Sequence, residues 1–237
     1  MNDKCLAIIP ARGGSKRIPK KNIKDFKGRP VIAYSIEKAL NSEIFDEVMV
    51  STEDAEIANV AIKNGAKVPF LRSTENAGDH STTLDVINEV LKSYAFQKDK
   101  KFKYACCIYP VAPLININDL KEGYLKLVEK NYTSVFPVVA FSYPIWRGIE
   151  IGVNDKVSMI WPEHISSRSQ DLKQVYHDAG QWYWFNCEKL NNWNWPENSG
   201  TVILSEIFVQ DIDTMTDWRL AELKYSLLNE DLFRNLL

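Results

Sequence analysis

The residue types best suited to chemistry in this 237-residue chain lie in one basic stretch near the N-terminus. Gly13-Gly14 follows a short apolar run, Cys5 to Ile9, which is typical of a buried parallel strand. Between Arg12 and Arg29 the sequence has eight Lys or Arg residues and one acid. A glycine pair lets the backbone turn tightly and bring its N–H groups close to a ligand. The stretch is therefore predicted to bind an anion such as phosphate, although such a stretch can also be a solvated turn.

Two acids near the C-terminus offer a second site. Asp211 and Asp213 follow an apolar run from Val202 to Val209, which we predict to be a strand. Residues two apart on an extended segment face the same side, so both carboxylates can share one hard cation such as Mg²⁺. Asp-x-Asp is also common in turns that begin helices, and Thr214 with Asp217 offers such a cap. Beside an anion-binding loop, the metal site is the better interpretation.

The elements that must position these residues alternate along the first half of the chain. Apolar runs predict strands over residues 5–9, 47–51, 67–71 and 104–109, and helical spacing predicts helices after residue 30 and over residues 53–63, 82–91 and 118–129. This alternation predicts one α/β domain over residues 1–237, with a mainly parallel sheet and helices on both faces. Ligands bind such sheets at the carboxyl ends of the strands, where the basic loop lies.

From Thr133 onward the pattern changes to strands without helices between them. Residues 134–140 read as a strand, and residues 146–151 and 156–161 flank Asn154-Asp155 as a hairpin. We therefore predict an inserted β arm over about residues 140–175.

Composition excludes several classes of function. The chain is 45% apolar and 25% charged with a formal charge of −2, which is ordinary for a globular protein and argues against a general nucleic-acid binder. It has no apolar run long enough to span a membrane and no signal-peptide pattern, so we expect a cytoplasmic protein. The four cysteines are expected to be core thiols, and the histidines (His80, His164 and His177) are too scattered for a zinc site.

The basic stretch lacks both the P-loop and the dinucleotide-binding glycine patterns. From Ile8 to Asn22 it resembles instead the opening motif of the CMP-sugar synthetases, cytidylyltransferases that activate sialic acids and related keto sugars. The resemblance implies a Rossmann-like fold of the nucleotide-diphospho-sugar-transferase type. It also implies CTP as a substrate and a homodimer in which each arm reaches the neighbouring active site.

The resemblance also implies residue roles. Arg12, Lys21 and Asp211 would be catalytic, and Asp211 with Asp213 would bind Mg²⁺. For Arg72, Ser81 and Thr83 a capping or surface role stays equally open. The implied nucleotide contacts are Ala11, Arg12, Gly13, Gly14, Ser15, Lys16, Lys21, Asn22, Arg72, Ser81 and Thr83.

Two departures from the common family pattern concern the sugar. Tyr109 stands where the family commonly has a glutamine that reads sialic acid, and residues 176–184 resemble the signature of the members that activate pseudaminic acid. The resemblance thus implies that CTP and pseudaminic acid, a nonulosonic acid, give CMP-pseudaminic acid and diphosphate, which supplies the activated sugar for glycan or flagellin glycosylation. Trp182 is expected to add an apolar wall. The expected sugar contacts are Tyr109, Arg168, His177, Asp178, Gln181 and Tyr183.

Three alternatives remain open at this point. The sugar could be N-acetylneuraminic or legionaminic acid. A glycosyltransferase also combines a parallel sheet with an Asp-x-Asp metal site, but it does not need a lysine-rich triphosphate loop. A nucleotide-sensing module without turnover would not need Lys21 together with both acids.

Overall fold

The computed structural model describes residues 4–78, 81–192 and 197–229. The strands are β1 (Cys5–Pro10), β2 (Asp25–Phe26), β3 (Arg29–Pro30), β4 (Glu47–Ser51), β5 (Tyr104–Ile108), β6 (Ser134–Ala140), β7 (Ile149–Ile151), β8 (Val157–Met159), β9 (Tyr176–Asp178), β10 (Trp182–Asn186) and β11 (Ser199–Leu204). The α-helices are α1 (Val31–Asn41), α2 (Ala55–Lys63), α3 (Thr83–Lys98), α4 (Ile117–Glu129) and α5 (Met215–Asn229).

The main sheet has the strand order β11-β6-β10-β5-β1-β4, and β9 pairs with β6. Strand β1 is parallel to β4 and β5, and β11 is parallel to β6. Strand β10 is antiparallel to both β5 and β6, and β9 is antiparallel to β6. The sheet is therefore mixed with a mainly parallel core, so the carboxyl ends of β1, β4 and β5 and the start of β10 meet at one edge.

Alternating side chains of the central strands fill a core on each face of the sheet. Cys106 packs into the core that holds residues of α1, α2 and α4, and its neighbour Cys107 packs into the core under α3. Both thiols are buried and free, and burial raises the pKa of Cys107 to about 12. The predictions of helices on both faces and of core thiols are confirmed.

Two predicted strands are wrong in detail. Lys67 forms an isolated bridge with Met49, but residues 67–71 form no strand in the structure, because Pro69 has no N–H to continue the ladder. Strand β11 begins at Ser199 and ends at Leu204, and a 3₁₀ turn, Glu206–Phe208, follows it. Asp211 therefore lies on a connecting segment beyond that turn.

Side-chain caps begin the helices beside the predicted site. Thr82 and Asp85 form the predicted capping box of α3. At α5 the Asp217 carboxylate accepts hydrogen bonds from the Thr214 N–H and hydroxyl at 2.7 and 2.8 Å. Both predicted caps are confirmed, and the second fixes the chain just after Asp213.

The predicted hairpin is present, with β7 and β8 antiparallel and shorter than expected. It lies between the end of β6 at Ala140 and the start of β9 at Tyr176, and its apolar residues include the exposed Ile151 and Val153. Within the described ranges, no helix combines the length and apolar character that a bilayer span requires. The cytoplasmic location stays a prediction. Of the three histidines, His80 lies outside the described residues.

Candidate active site

Basic groups of the N-terminal loop face acidic groups of the C-terminal segment across one cavity of about 350 Å³, here called the loop pocket. It opens at the sheet edge where β1 ends, as the parallel topology requires. A pocket with both signs of charge suits a polyanion together with a cation. Its lining includes Arg12, Ser15, Lys16, Arg17, Lys21, Asn22, Tyr109, Gly180, Asp211 and Asp213.

Hydrogen bonds hold the basic loop against the ends of β1 and β4. The Gly13 N–H donates to Glu53 Oε1 at 2.7 Å, and the buried Asn22 donates its side-chain amide to the Arg12 carbonyl at 2.8 Å. A Cβ at Gly13 would lie 2.7 Å from Asp54 Oδ2, so a larger residue here would force the Asp54 side chain, which caps α2, to shift. The loop is thus preorganised before any ligand arrives.

The acidic side of the pocket is tied to the loop by Lys21. Its ammonium donates to the Ile212 carbonyl at 2.7 Å and lies 3.6 Å from Asp213 Oδ1. Burial, and then the neighbouring charge of Asp213, raise the pKa of Asp211. A divalent cation beside Asp211 would favour its charged form.

A second cavity, of about 210 Å³, adjoins the first at Tyr109 and is here called the aromatic pocket. The Tyr183 hydroxyl donates to Asp178 Oδ2 at 2.7 Å, and the Thr83 and Tyr109 hydroxyls are 3.3 Å apart. Pockets that are lined by aromatic side chains and have a few fixed polar groups typically bind small organic molecules. Its lining residues are Thr83, Leu84, Tyr109, Ser134, Phe136, Asp178, Tyr183 and Phe185.

The sequence model of one protein family, described as Cytidylyltransferase, matches residues 6–189. The chain belongs to the cytidylyltransferase family. This cytidylyltransferase is 42% identical over 233 residues to a pseudaminic acid cytidylyltransferase of Campylobacter jejuni, a match that covers 97% of this chain and 100% of the relative. It is 32% identical to a CMP-N,N'-diacetyllegionaminic acid synthase of Legionella pneumophila, over 95% of this chain and 97% of the relative.

A solved structure of a CMP:2-keto-3-deoxy-manno-octonic acid synthetase complexed with CTP superposes with a TM-score of 0.69. The match covers 94% of this cytidylyltransferase and 98% of that chain at 19% identity, so it bears on the fold. The predictions of a nucleotide-diphospho-sugar-transferase-like fold and of a nucleotidyltransferase are confirmed.

The fold of the cytidylyltransferase brings most of the predicted site residues together. From the loop, Arg12, Ser15, Lys16, Lys21 and Asn22 line the loop pocket with both acids. Ala11 and the glycines shape the backbone, since the Ala11 N–H bonds to the Ser51 carbonyl and Gly14 has open space around it. Tyr109 borders both pockets, and Thr83, Asp178 and Tyr183 line the aromatic one.

Two predicted nucleotide contacts have partners within the chain. The Arg72 side chain is buried and donates to the hydroxyl and carbonyl of Ser51, and burial lowers its pKa. The Ser81 hydroxyl donates to the Glu75 carbonyl at 3.0 Å. Neither side chain lines the loop pocket, so their contact with a nucleotide stays a prediction.

Gln181 and Trp182, which were expected at the sugar site, line neither pocket. Gln181 is buried and its side-chain amide donates to the Phe208 carbonyl. Trp182 is fully buried beside Gly123 of α4. Because side chains alternate along β10, Tyr183 points to the opposite face and reaches the aromatic pocket.

The other two predicted sugar contacts also lie outside both pockets in the single chain. His177 is exposed, and its ring lies 4.8 Å from that of Phe141. Arg168 lies on the arm and pairs with Asp171 at 2.8 Å. Their roles stay predictions.

Sequence reasoning missed three residues of this cytidylyltransferase that matter to the geometry. Arg17 forms an ion pair with Asp213, Glu53 holds the Gly13 N–H, and Phe136 walls the aromatic pocket. Arg17 could have been chosen from its position in the basic stretch. Glu53 and Phe136 carry no sequence signal of their own, because their importance comes from the approach of distant segments.

Proposed function

We propose that this chain transfers the cytidylyl group of CTP to pseudaminic acid, which yields CMP-pseudaminic acid and diphosphate. The observation that carries the proposal is the loop pocket, in which Arg12, Lys16 and Lys21 face Asp211 and Asp213. The Campylobacter relative, similar over essentially its whole length, supports the choice of acceptor.

The triphosphate of CTP would lie along the basic loop. Backbone N–H groups of a tight glycine turn and flanking Arg and Lys side chains bind phosphate oxygens, and arginine can do so with two parallel hydrogen bonds. Lys21 is well placed to stabilise charge on the phosphates, because its ammonium is already held near the acids. The base would lie toward Asn22, Arg72, Ser81 and Thr83.

Asp211 and Asp213 fit Mg²⁺ as the two protein ligands. Mg²⁺ is usually bound by one or two carboxylates, waters and substrate phosphates, so a third protein ligand is not needed. Burial and then the charge of Asp213 raise the pKa of Asp211, and a divalent cation bound beside it would favour its charged form. When bound, the metal would offset triphosphate charge and lower the pKa of the attacking hydroxyl.

The chemical step would be in-line attack of the sugar's anomeric hydroxyl on the α-phosphorus of CTP. A bond forms from the anomeric oxygen to phosphorus while the bond to the bridging oxygen of the leaving diphosphate breaks, and the hydroxyl proton passes to solvent. Phosphoryl transfer depends mainly on alignment and charge stabilisation. Arg12 and Lys21 would stabilise the charge, and Tyr109 would align the sugar between the two pockets.

The aromatic pocket would recognise the sugar that accepts the cytidylyl group. Pseudaminic acid has a second acetamido group at carbon 7 and a methyl group where N-acetylneuraminic acid has a hydroxymethyl. Phe136, Tyr109 and Tyr183 would pack against the methyl groups, while Asp178 would meet the amide. Polar groups positioned for an amide lose their partner when a sugar lacks it.

A diacetyllegionaminic acid acceptor is the second candidate. The Legionella relative favours it, since the product in its name carries two N-acetyl groups. The greater identity to the Campylobacter relative, 42% against 32%, favours pseudaminic acid.

We also propose a homodimer built by the arm. The arm, over residues 140–175, has several exposed apolar residues, among them Ile149, Ile151, Val153, Val157 and Ile165. Such a concentration marks a protein contact. Arg168 would then meet the sugar's carboxylate in the active site of the neighbouring subunit.

The proposal is tested by diphosphate release and by the mass of the product when CTP, Mg²⁺ and each acid are mixed with the protein. We expect CMP-pseudaminic acid and no product from Asp213→Asn, which keeps the volume of the side chain but removes its charge. No product from any nonulosonic acid would contradict the proposal.

A further inference from the structure

Arg17, which has no role in the proposal so far, contacts one of the two predicted metal ligands. Its guanidinium Nη1 lies 2.6 Å from Asp213 Oδ2. The other carboxylate oxygen, Oδ1, lies 3.6 Å from the Lys21 ammonium. Each oxygen of this carboxylate therefore already faces a cation of the chain.

The two cations differ in how firmly they are held. Lys21 is 25% exposed and is anchored by the Ile212 carbonyl, whereas the Arg17 side chain is 68% exposed. Exposed ion pairs contribute little free energy, so the Arg17 contact is easily exchanged. A divalent cation on Asp213 needs the oxygen that Arg17 covers, and it repels the guanidinium.

Released from Asp213, Arg17 would still lie in the loop pocket beside Arg12 and Lys16. A planar guanidinium matches phosphate oxygens, which it can contact in pairs. Arg17 can therefore pair with the Asp213 carboxylate before the substrate binds and with a phosphate afterwards.

We propose, building on the function given above, that Arg17 is an exchangeable counter-ion. It neutralises Asp213 in the free protein and moves to the triphosphate when metal and CTP bind. The exchange has two consequences: metal alone binds weakly because it must displace Arg17, and CTP strengthens metal binding because its phosphates accept the released guanidinium. Metal and CTP thus bind cooperatively.

The test compares Arg17→Ala with Lys20→Ala, which removes one positive charge from the same loop. Lys20 pairs with Glu56 at 2.5 Å and not with Asp213, so it controls for the general loss of charge. Binding of Mn²⁺ alone is measured from the signal of free Mn²⁺ in electron paramagnetic resonance. Binding of CTP is measured at saturating Mn²⁺ by calorimetry, without the sugar.

We expect Arg17→Ala to bind Mn²⁺ alone roughly two- to five-fold more tightly than wild type, the range of one exposed ion pair. It should bind CTP less tightly than Lys20→Ala does, and Arg17→Lys should restore part of both effects. CTP should then increase Mn²⁺ affinity less in Arg17→Ala than in wild type.

Two results would overturn the exchange. If wild type binds Mn²⁺ and Arg17→Ala binds it no more tightly than Lys20→Ala, Arg17 does not compete with metal, while the metal site stands. If wild type, with or without CTP, binds Mn²⁺ no better than Asp213→Asn, both the metal site and the role of Arg17 are wrong. Thermal unfolding of each variant confirms that it is folded.

Discussion

Lys21 is the residue whose contacts join the two sides of the site. It stands in the N-terminal loop, yet it bonds to the Ile212 carbonyl and approaches Asp213. The resemblance of the basic stretch to the family's opening motif implies a phosphate-binding role for Lys21, and that role stays a prediction. Its hydrogen bond to a carbonyl 191 residues away could not be predicted, because that contact depends on how β11 and the segment after it return to the sheet edge.

Lys21→Ala should slow turnover by about 3 kcal/mol in activation free energy, on the order of a hundred-fold, which is typical for one preorganised charge-stabilising group. Single-turnover rates at saturating CTP measure the effect. Lys20→Ala is the matched control and should stay near the wild-type rate. Unchanged CTP binding and turnover in Lys21→Ala would make this residue an ordinary structural lysine.

At the scale of elements, the strands next to the site show what pattern could and could not predict. Apolar runs located β1, β4, β5 and β6. Which side chains of β10 are buried could not be predicted, because this depends on α4 covering Trp182 and leaving Tyr183 open. The burial of Gln181 could not be predicted for a similar reason, since its partner Phe208 lies on a distant turn.

Gln181→Ala should lower stability by roughly 1–3 kcal/mol, because the Phe208 carbonyl loses the hydrogen bond that the buried Gln181 side chain donates. Urea unfolding measures this loss. The ratio of kcat/KM for pseudaminic acid to that for N-acetylneuraminic acid should change less in Gln181→Ala than in Tyr183→Phe. The second substitution removes the hydroxyl that donates to Asp178. A change in selectivity without a loss of stability would return Gln181 to the sugar site.

Glu47 connects the edge strand β4 to α3 and gives a pH-dependent contribution. Burial alone would raise the pKa of Glu47, but hydrogen bonds from Lys100, Tyr94 and Lys67 outweigh it and hold the pKa below 4.5. A carboxyl group whose pKa is lower in the folded than in the unfolded chain stabilises the fold at pH values above its unfolded-state pKa. That stabilisation is lost as the pH falls through the folded-state pKa.

Glu47→Gln should therefore cost about 1 kcal/mol near neutral pH, a modest figure because both lysines are partly exposed. The difference from wild type should shrink as the pH falls below 4.5, the ordinary value. Denaturant unfolding at a series of pH values measures it. A difference that stays constant on acidification would contradict the charge argument.

At the scale of the whole molecule, the arm is a part whose apolar residues stay exposed in a single chain. Its place in the sequence was predictable from the change to strands without helices. In the proposed homodimer a second chain would cover the arm, and no pattern within one chain predicts which surface would do so.

Ile151→Glu combined with Val153→Glu should convert the dimer to a monomer, since charges on residues that are 72% and 84% exposed would be buried in the interface. Sedimentation velocity measures the change, and turnover should fall with it. Phe96→Glu on α3, a residue outside the arm that is 93% exposed, is the matched control and should stay dimeric. A monomeric wild type would remove the dimer from the account.

The central claim is tested most directly by kcat/KM for pseudaminic acid and N-acetylneuraminic acid, measured side by side at saturating CTP and Mg²⁺. The account predicts that pseudaminic acid is preferred by on the order of a hundred-fold or more, because the polar groups of the aromatic pocket require the second acetamido group. Equal or faster turnover of N-acetylneuraminic acid would contradict the choice of sugar and leave only the cytidylyltransferase chemistry.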